Sequence, residues 1–280
     1  MPKPRSAVVT ELPEIGVTVI SKWLYNCYVI HDGGDGRPFV VDLGVPSQLP
    51  EVEAVVRRLG GELADLGAAV ATHGHADHVG GLPDLREQAG TDVLLPGAID
   101  DMRDGRCALR PPGLRALAQI LPVMSTQPLD LAATLEIKDT MAVIGWDAKG
   151  VRLPFEPDGW LRDGDHLPGL PAWQVLSTPG HSDDSTCLLH APTRTLISGD
   201  SVLSVEGRAW FNPEYVDGRR SVATEARLRA LDVEHLLPGH GLVVQGPHVM
   251  DDALSFADRP RDASKLRALA RTLRSPRHPR

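Results

Sequence analysis

Little in this chain marks it for a specialised class. Only three of its 280 residues are cysteine. Cys27, Cys107 and Cys187 are far apart, which leaves neither a disulfide framework nor a C-x-x-C metal or redox motif, so they read as reduced thiols. No apolar run approaches the roughly 20 residues needed to cross a bilayer, and Met1-Pro2-Lys3-Pro4-Arg5 leads into no apolar signal core. The expectation is a cytoplasmic protein with no membrane partner. Aromatics make up only 4% of residues, so a core must rest on aliphatic side chains, which the 42% hydrophobic content supplies. Outside the C-terminal end, negative charge outweighs positive. Residues 257–280 carry eight Lys or Arg against two Asp, so with a net charge of −8 the rest of the chain stands at −14. A body that acidic repels a phosphate backbone, which counts against a nuclease role despite the basic tail, and no nucleic-acid partner is expected.

What is present reads as one layered α/β unit. Apolar β-branched runs at 16–20, 26–30 and 39–41, separated by glycine-rich turns, predict hairpin strands. The spacing of Val52, Val55, Val56 and Leu59 predicts a helix over 48–59 that stops at Gly60-Gly61. Strands follow at 68–71 and 92–95, with a helix near 83–88 between them. Residues 97–160 differ in texture, with prolines at 111, 112, 122, 128, 154 and 157 and apolar helical pieces at 114–121 and 129–135. Two further runs, 141–146 and 151–155, flank a hairpin turn at 147–150. This stretch is taken as an inserted cap within a domain spanning 1–255, followed by a basic C-terminal helix or tail at 256–280, where Leu266, Leu269, Ala270 and Leu273 recur at helical spacing. Strands are expected again at 173–176, 186–189, 195–197 and 235–237, with an amphipathic helix over 222–231.

Four short segments carry the chemistry. His73-Gly74-His75-Ala76-Asp77-His78 follows a strand directly and packs three imidazoles and a carboxylate into six residues. In an extended segment residues i and i+2 point the same way, so His73 and His75 present two imidazoles to one ion while Asp77 and His78 turn toward a second. As a solvated loop the cluster makes little sense, because such imidazoles repel when protonated and gain little when neutral. Three further segments each end a short apolar strand in glycine and a ligand-type residue: Pro179-Gly180-His181, Gly199-Asp200 and Pro238-Gly239-His240. Alone, each reads as a turn; with the first cluster they complete two coordination sets.

The order H-x-H-x-D-H, P-G-H, G-D, P-G-H resembles the metallo-β-lactamase superfamily, and especially its glyoxalase II-like branch, whose opening strands Asn26-Cys27-Tyr28 and Val41-Asp42-Leu43-Gly44 are also similar. The resemblance covers roughly residues 16–96 and 161–246 and implies a four-layer αββα sandwich with metals at one edge. It implies that His73, His75 and His181 hold one metal, Asp77, His78 and His240 the other, and that Asp200 bridges them. Two Zn²⁺ are the expected cofactors, with iron or manganese as alternatives. A hydroxide between two such ions attacks a carbonyl carbon while one ion polarises the oxygen, and Asp77 is the candidate to orient it. Asp42 is similar to an acid that fixes a ligating imidazole in its tautomer; an ordinary turn aspartate before Gly44 is the other reading.

The expected activity is hydrolysis of an ester, thioester or lactone/lactam-like carbonyl in a small acyl substrate, by a monomer or homodimer. Ser201-Val202-Leu203 follows Asp200 where the family's homoserine-lactone hydrolases carry a tyrosine, which disfavours lactones. The competing class is an iron-dependent oxygenase or sulfur dioxygenase on the same ligands. Trp146, Phe155 and Trp160, and Trp210, Phe211 and Tyr215, are either aromatic walls for an apolar acyl group or local core. Arg208 is a candidate partner for a substrate carboxylate. The insertion opens with Asp100, Asp101 and Asp104, so it offers no basic groove.

Overall fold

The computed structural model describes residues 7–31, 36–108, 110–111, 121–124, 130–147 and 150–258. The helical spacing in 266–273 and most of 114–121 lie outside them.

Two sheets face one another. The first has seven strands, in spatial order Val8–Leu12, Val17–Lys22, Tyr25–Ile30, Phe39–Val41, Ala68–Val70, Val93–Pro96 and Gly159–Leu161. The first four are antiparallel neighbours and the last four run parallel. The second sheet orders His166–Leu167, Leu170–Ser177, Thr186–His190, Thr195–Gly199, His235–Pro238 and Val244–Gln245.

Alternation builds the layers. In Val17–Lys22, Val17 and Val19 face the second sheet's Val175, Leu188, Ile197 and Leu237, while Ile20 points the other way with Val29 and Val40. That outer face is covered by Val52, Val55 and Val56 of the helix Leu49–Arg58 and by Leu82 and Leu85 of Leu82–Ala89. The second sheet's outer face, with Leu176, Cys187, Leu196 and Leu236, packs on Leu228 of the helix Gly218–Arg229. Helix, sheet, sheet, helix is the αββα order.

Between Pro96 and Gly159 the chain leaves the first sheet and returns to pair beside the strand it left, Leu95 opposite Trp160. Trp160, expected within the insertion, is therefore an edge-strand residue. The excursion holds the helices Gly97–Arg103, Leu121–Met124 and Leu131–Val143 and the hairpin Gly145–Asp147/Gly150–Arg152. The extended run expected from Met141 is wrong for its first three residues. Asp130 caps the helix by accepting from the backbone N–H groups of Ala132 and Ala133, and good helix formers carry it to Val143 before Ile144 turns extended. Ala133 and Ile137 of this helix pack on Trp23, Leu24, Tyr25 and Val45, so the excursion reaches the sandwich edge where the His/Asp segments converge. Among the described residues, no helix is long and apolar enough to cross a membrane.

Candidate metal centre

Each segment of the site is a loop at the C-terminal end of a strand, all on one edge. Ala68–Val70 runs into His73 and His75, and a one-turn helix, Ala76–Val79, presents Asp77 and His78. Leu170–Ser177 leads to His181, Thr195–Gly199 to Asp200, and His235–Pro238 to His240. The structure brings all seven residues together. Three donor groups each fit within 4.8 Å: His73, His75 and His181; Asp77, His78 and His240; and His73, His78 and Asp200.

Close backbone approach makes the convergence possible. Gly239 lies directly against Asp200 Oδ1, and a Cβ there would also come 2.7 Å from His78 Cε1. Gly199, at φ +48°, packs on Thr72, so a side chain there is excluded both by conformation and by space.

The imidazoles are fixed from behind. His78 Nδ1 lies 3.0 Å from Asp42 Oδ2, and His240 Nδ1 donates to the Leu24 carbonyl at 2.8 Å. His181 Nδ1 donates to the Glu214 carbonyl at 3.0 Å, and His73 Nδ1 sits 3.2 Å from Thr72 Oγ1. With Nδ1 occupied in each, Nε2 is the donor atom left for the interior. Asp42 also accepts from Thr72 N and Thr72 Oγ1, at 2.7 and 2.8 Å, so one fully buried carboxylate holds both the His73 loop and the His78 ring. It is no ordinary turn residue, although its own φ is +57°.

The donor atoms are spaced as ligands of small cations. His75 Nδ1 to His181 Nε2 is 3.2 Å, His240 Nε2 to Asp77 Oδ2 3.2 Å, His240 Nε2 to Asp200 Oδ2 3.2 Å, His78 Nε2 to Asp200 Oδ1 3.4 Å and His181 Nε2 to Asp200 Oδ2 3.5 Å. Ligands about 2.05 Å from a tetrahedral zinc lie about 3.3 Å from one another. His73 Nε2 is buried without a hydrogen bond, a costly state for protein alone, and His78 Nε2 and Asp200 Oδ1 have only their 3.4 Å approach to each other, without hydrogen-bond geometry. These residues fit a pair of divalent cations.

The electrostatics split the cluster. Burial, then the neighbouring imidazoles, pushes His73 well down and His75 to about 3, which keeps both neutral. Burial also opposes charge on His78 and His240, but Asp200, Asp42 and Asp77 outweigh it and lift His78 well up and His240 to about 10. Burial likewise works against ionised Asp77 and Asp200, yet the adjacent imidazoles hold both well below the usual carboxylate range. The half of the site with the carboxylates thus attracts positive charge.

Asp77 is the opening to solvent: its side chain is 26% exposed, against 1–6% for His78, His181, Asp200 and His240. Other expectations fall outside the site. Arg208 donates to the Asp252 carbonyl, and Trp210 and Phe211 are core. Phe155 and Trp160 pack against the core, while Tyr215 is exposed. His31 bonds Thr18 and His190 bonds Thr193, both away from the centre. Sequence reasoning missed Thr72, and it missed Asn212, whose amide donates to the Asp200 carbonyl at 2.9 Å. It also missed Asp184, whose Oδ2 accepts from Gly74 N at 2.7 Å. The only hint in the chain was the Asp183-Asp184 pair just after His181.

Comparison with known proteins agrees with this geometry. A family model described as the metallo-beta-lactamase superfamily matches residues 21–240. The probable metallo-hydrolase YflN of Bacillus subtilis (strain 168) is 24% identical over 265 residues, covering 87% of this chain and 90% of that protein. Among solved structures, TTHA1623 in a di-iron-bound form superposes with a TM-score of 0.52 at 23% identity, covering 81% of this chain and 92% of its own. The class B3 di-zinc metallo-beta-lactamase LRA-12 from an Alaskan soil metagenome gives 0.53 at 16% identity, covering 85% and 79%. These two likenesses speak to the fold, which is the αββα sandwich; the match over residues 21–240 speaks to descent. The chain belongs to the metallo-beta-lactamase superfamily.

Proposed function

We propose that this protein hydrolyses an ester, thioester or lactam-like carbonyl bond of a small acyl substrate at a pair of divalent cations, Zn²⁺ in the first instance. His73, His75 and His181 would hold one ion and Asp77, His78 and His240 the other, with Asp200 between them. One observation carries this reading: six donors from four separate loops stand 3.2–3.5 Å from a neighbour and His73 lies within 4.8 Å of His75 and His181, with Asp200 facing donors of both triads. The pair supplies, when bound, a water acidified to near neutrality and a Lewis acid for the carbonyl oxygen.

The chain's own residues supply the rest. Asp42 and the Leu24 and Glu214 carbonyls hold three imidazoles in the tautomer that turns Nε2 inward. The buried faces of His78, Asp200 and His240 exclude bulk water, and the substrate enters on the Asp77 side. One oxygen of Asp77 faces His240 Nε2, which leaves the other to accept a hydrogen bond from the attacking water and orient it.

Iron is the second reading, favoured by the di-iron form of TTHA1623 and by an all-nitrogen-and-oxygen donor set that suits either metal. It would carry redox chemistry instead. Elemental analysis of protein purified without added metal, paired with a panel of chromogenic esters, thioesters and β-lactams, separates the two. Two zinc per chain and turnover that disappears in a folded His75→Ala variant are expected; undiminished turnover in that variant removes the assignment. Stoichiometric iron with a visible absorbance band transfers it to the redox class.

A further inference from the structure

The loop that carries His181 is gripped by a residue of the excursion. Asp183, two residues beyond His181, has a side chain only 3% exposed, yet it lies between two guanidinium groups. Arg110 binds it three ways: backbone N and Nε each donate to Asp183 Oδ2 at 2.9 Å, and Nη2 donates to Oδ1. Arg220 Nη1 reaches the same Oδ1 at 3.1 Å. Arg110 Nη1 also contacts Asp217 Oδ2 at 2.9 Å. Asp217 caps the helix Gly218–Arg229, and its backbone N–H donates to the Gly180 carbonyl. The residues on both sides of His181 are therefore tied to one network of two arginines and two aspartates.

We infer that Arg110 is a positioning residue for His181, so that the excursion sets the affinity of the first metal position without touching the ion. This rests on the metal assignment proposed above. A multiply bonded guanidinium on a buried carboxylate fixes direction as well as distance, and lysine cannot copy it. Without the Arg110 guanidinium, Asp183 keeps Arg220 and the backbone N–H of residue 110 among the described residues, and the direction of its carboxylate is no longer fixed from the excursion side. The second triad, on Ala76–Val79 and after Pro238, has no contact with Arg110 among the described residues and is left as it was.

The test is titration of metal-free protein with cobalt(II), read by visible absorbance and by competition with a chelator. His181→Ala identifies which of two binding steps belongs to that histidine. In Arg110→Ala that same step is expected to weaken by about 10- to 100-fold, the effect typical of groups that orient a ligand, while the other step is unchanged. Arg110→Lys recovers part of the loss. Arg106→Ala, which removes an arginine of the same excursion that pairs with Asp100, Asp101 and Asp104 instead, leaves both steps alone. Equal weakening of both steps, or no weakening, overturns the inference. Should Arg110→Ala fail to fold, Arg110→Lys decides by the same selective weakening. Wild-type protein that takes up fewer than two cobalt ions overturns instead the metal assignment on which the inference rests.

Discussion

The metal edge and the excursion at residues 97–158 hold their side chains by opposite means. At the edge, Asp42 is fully buried, and so are the orienting bonds to His73, His78, His181 and His240 named above. In the excursion, Leu131, Leu135, Met141 and Val143 are exposed, and its ion pairs, Arg103 with Glu156 and Arg106 with three aspartates, stand in solvent. Water screens the second kind of contact and not the first, so the two regions differ in how much each side chain matters. Geometry that must be accurate to a fraction of an ångström sits where the interior holds it. Arg110 is where the two regions meet, its guanidinium half in solvent and its bonds aimed at a buried carboxylate.

The sharpest way to break that contrast is at Asp200. Asp200→Ala removes the only carboxylate that faces both triads among the described residues; turnover should fall to background and metal content to one ion or fewer per chain, by elemental analysis. Gly239→Ala should come close to it without changing a ligand, since the new methyl group meets Asp200 and His78; retained metal and activity there would show the edge to be softer than described. Asp42→Ala leaves all seven donors in place but frees the His78 ring and the Thr72 turn. A loss of about 10- to 100-fold in metal affinity is expected from a chelator competition, and an unchanged affinity would return Asp42 to the status of a turn residue. The smallest effect belongs to the far end of the excursion. The Arg86 hydrogen bonds hold the Asp158 carboxyl below its usual range. A depressed folded-state pKa gives stability that is present above the unfolded value of about 3.9 and is lost as pH falls through the folded one. Arg86→Ala should therefore be slightly less stable at neutral pH, with its unfolding midpoint converging on that of the wild type as pH drops below about 4.

Much of this was legible in the chain, and the illegible parts share a reason. The convergence of these seven residues was readable because ligand-type chemistry is local: three imidazoles within six residues, and Gly-His or Gly-Asp at the end of an apolar run, have few uses besides metal. The central strands were readable because Val17, Val19, Tyr28 and Ile30 alternate with residues of the other face. The strand Val8–Leu12 was missed because four of its five residues are exposed and show no alternation. Gly159–Leu161 was missed because three residues carry no period, and their pairing with Val93–Pro96 spans a long detour. The helix Leu131–Val143 was cut short because Met141 and Val143 are apolar yet exposed, which mimics a strand in sequence. Thr72, Asn212 and Asp183 are ordinary polar residues, and only the tertiary partners Asp42, Asp200 and Arg110 give them a role.

Anomalous diffraction at the zinc edge from crystals of the zinc-loaded protein tests the central claim most directly. Two peaks are predicted, one among His73, His75 and His181 and one among Asp77, His78 and His240, with the Asp200 carboxylate reaching both. A single peak, or none at these residues, would contradict it.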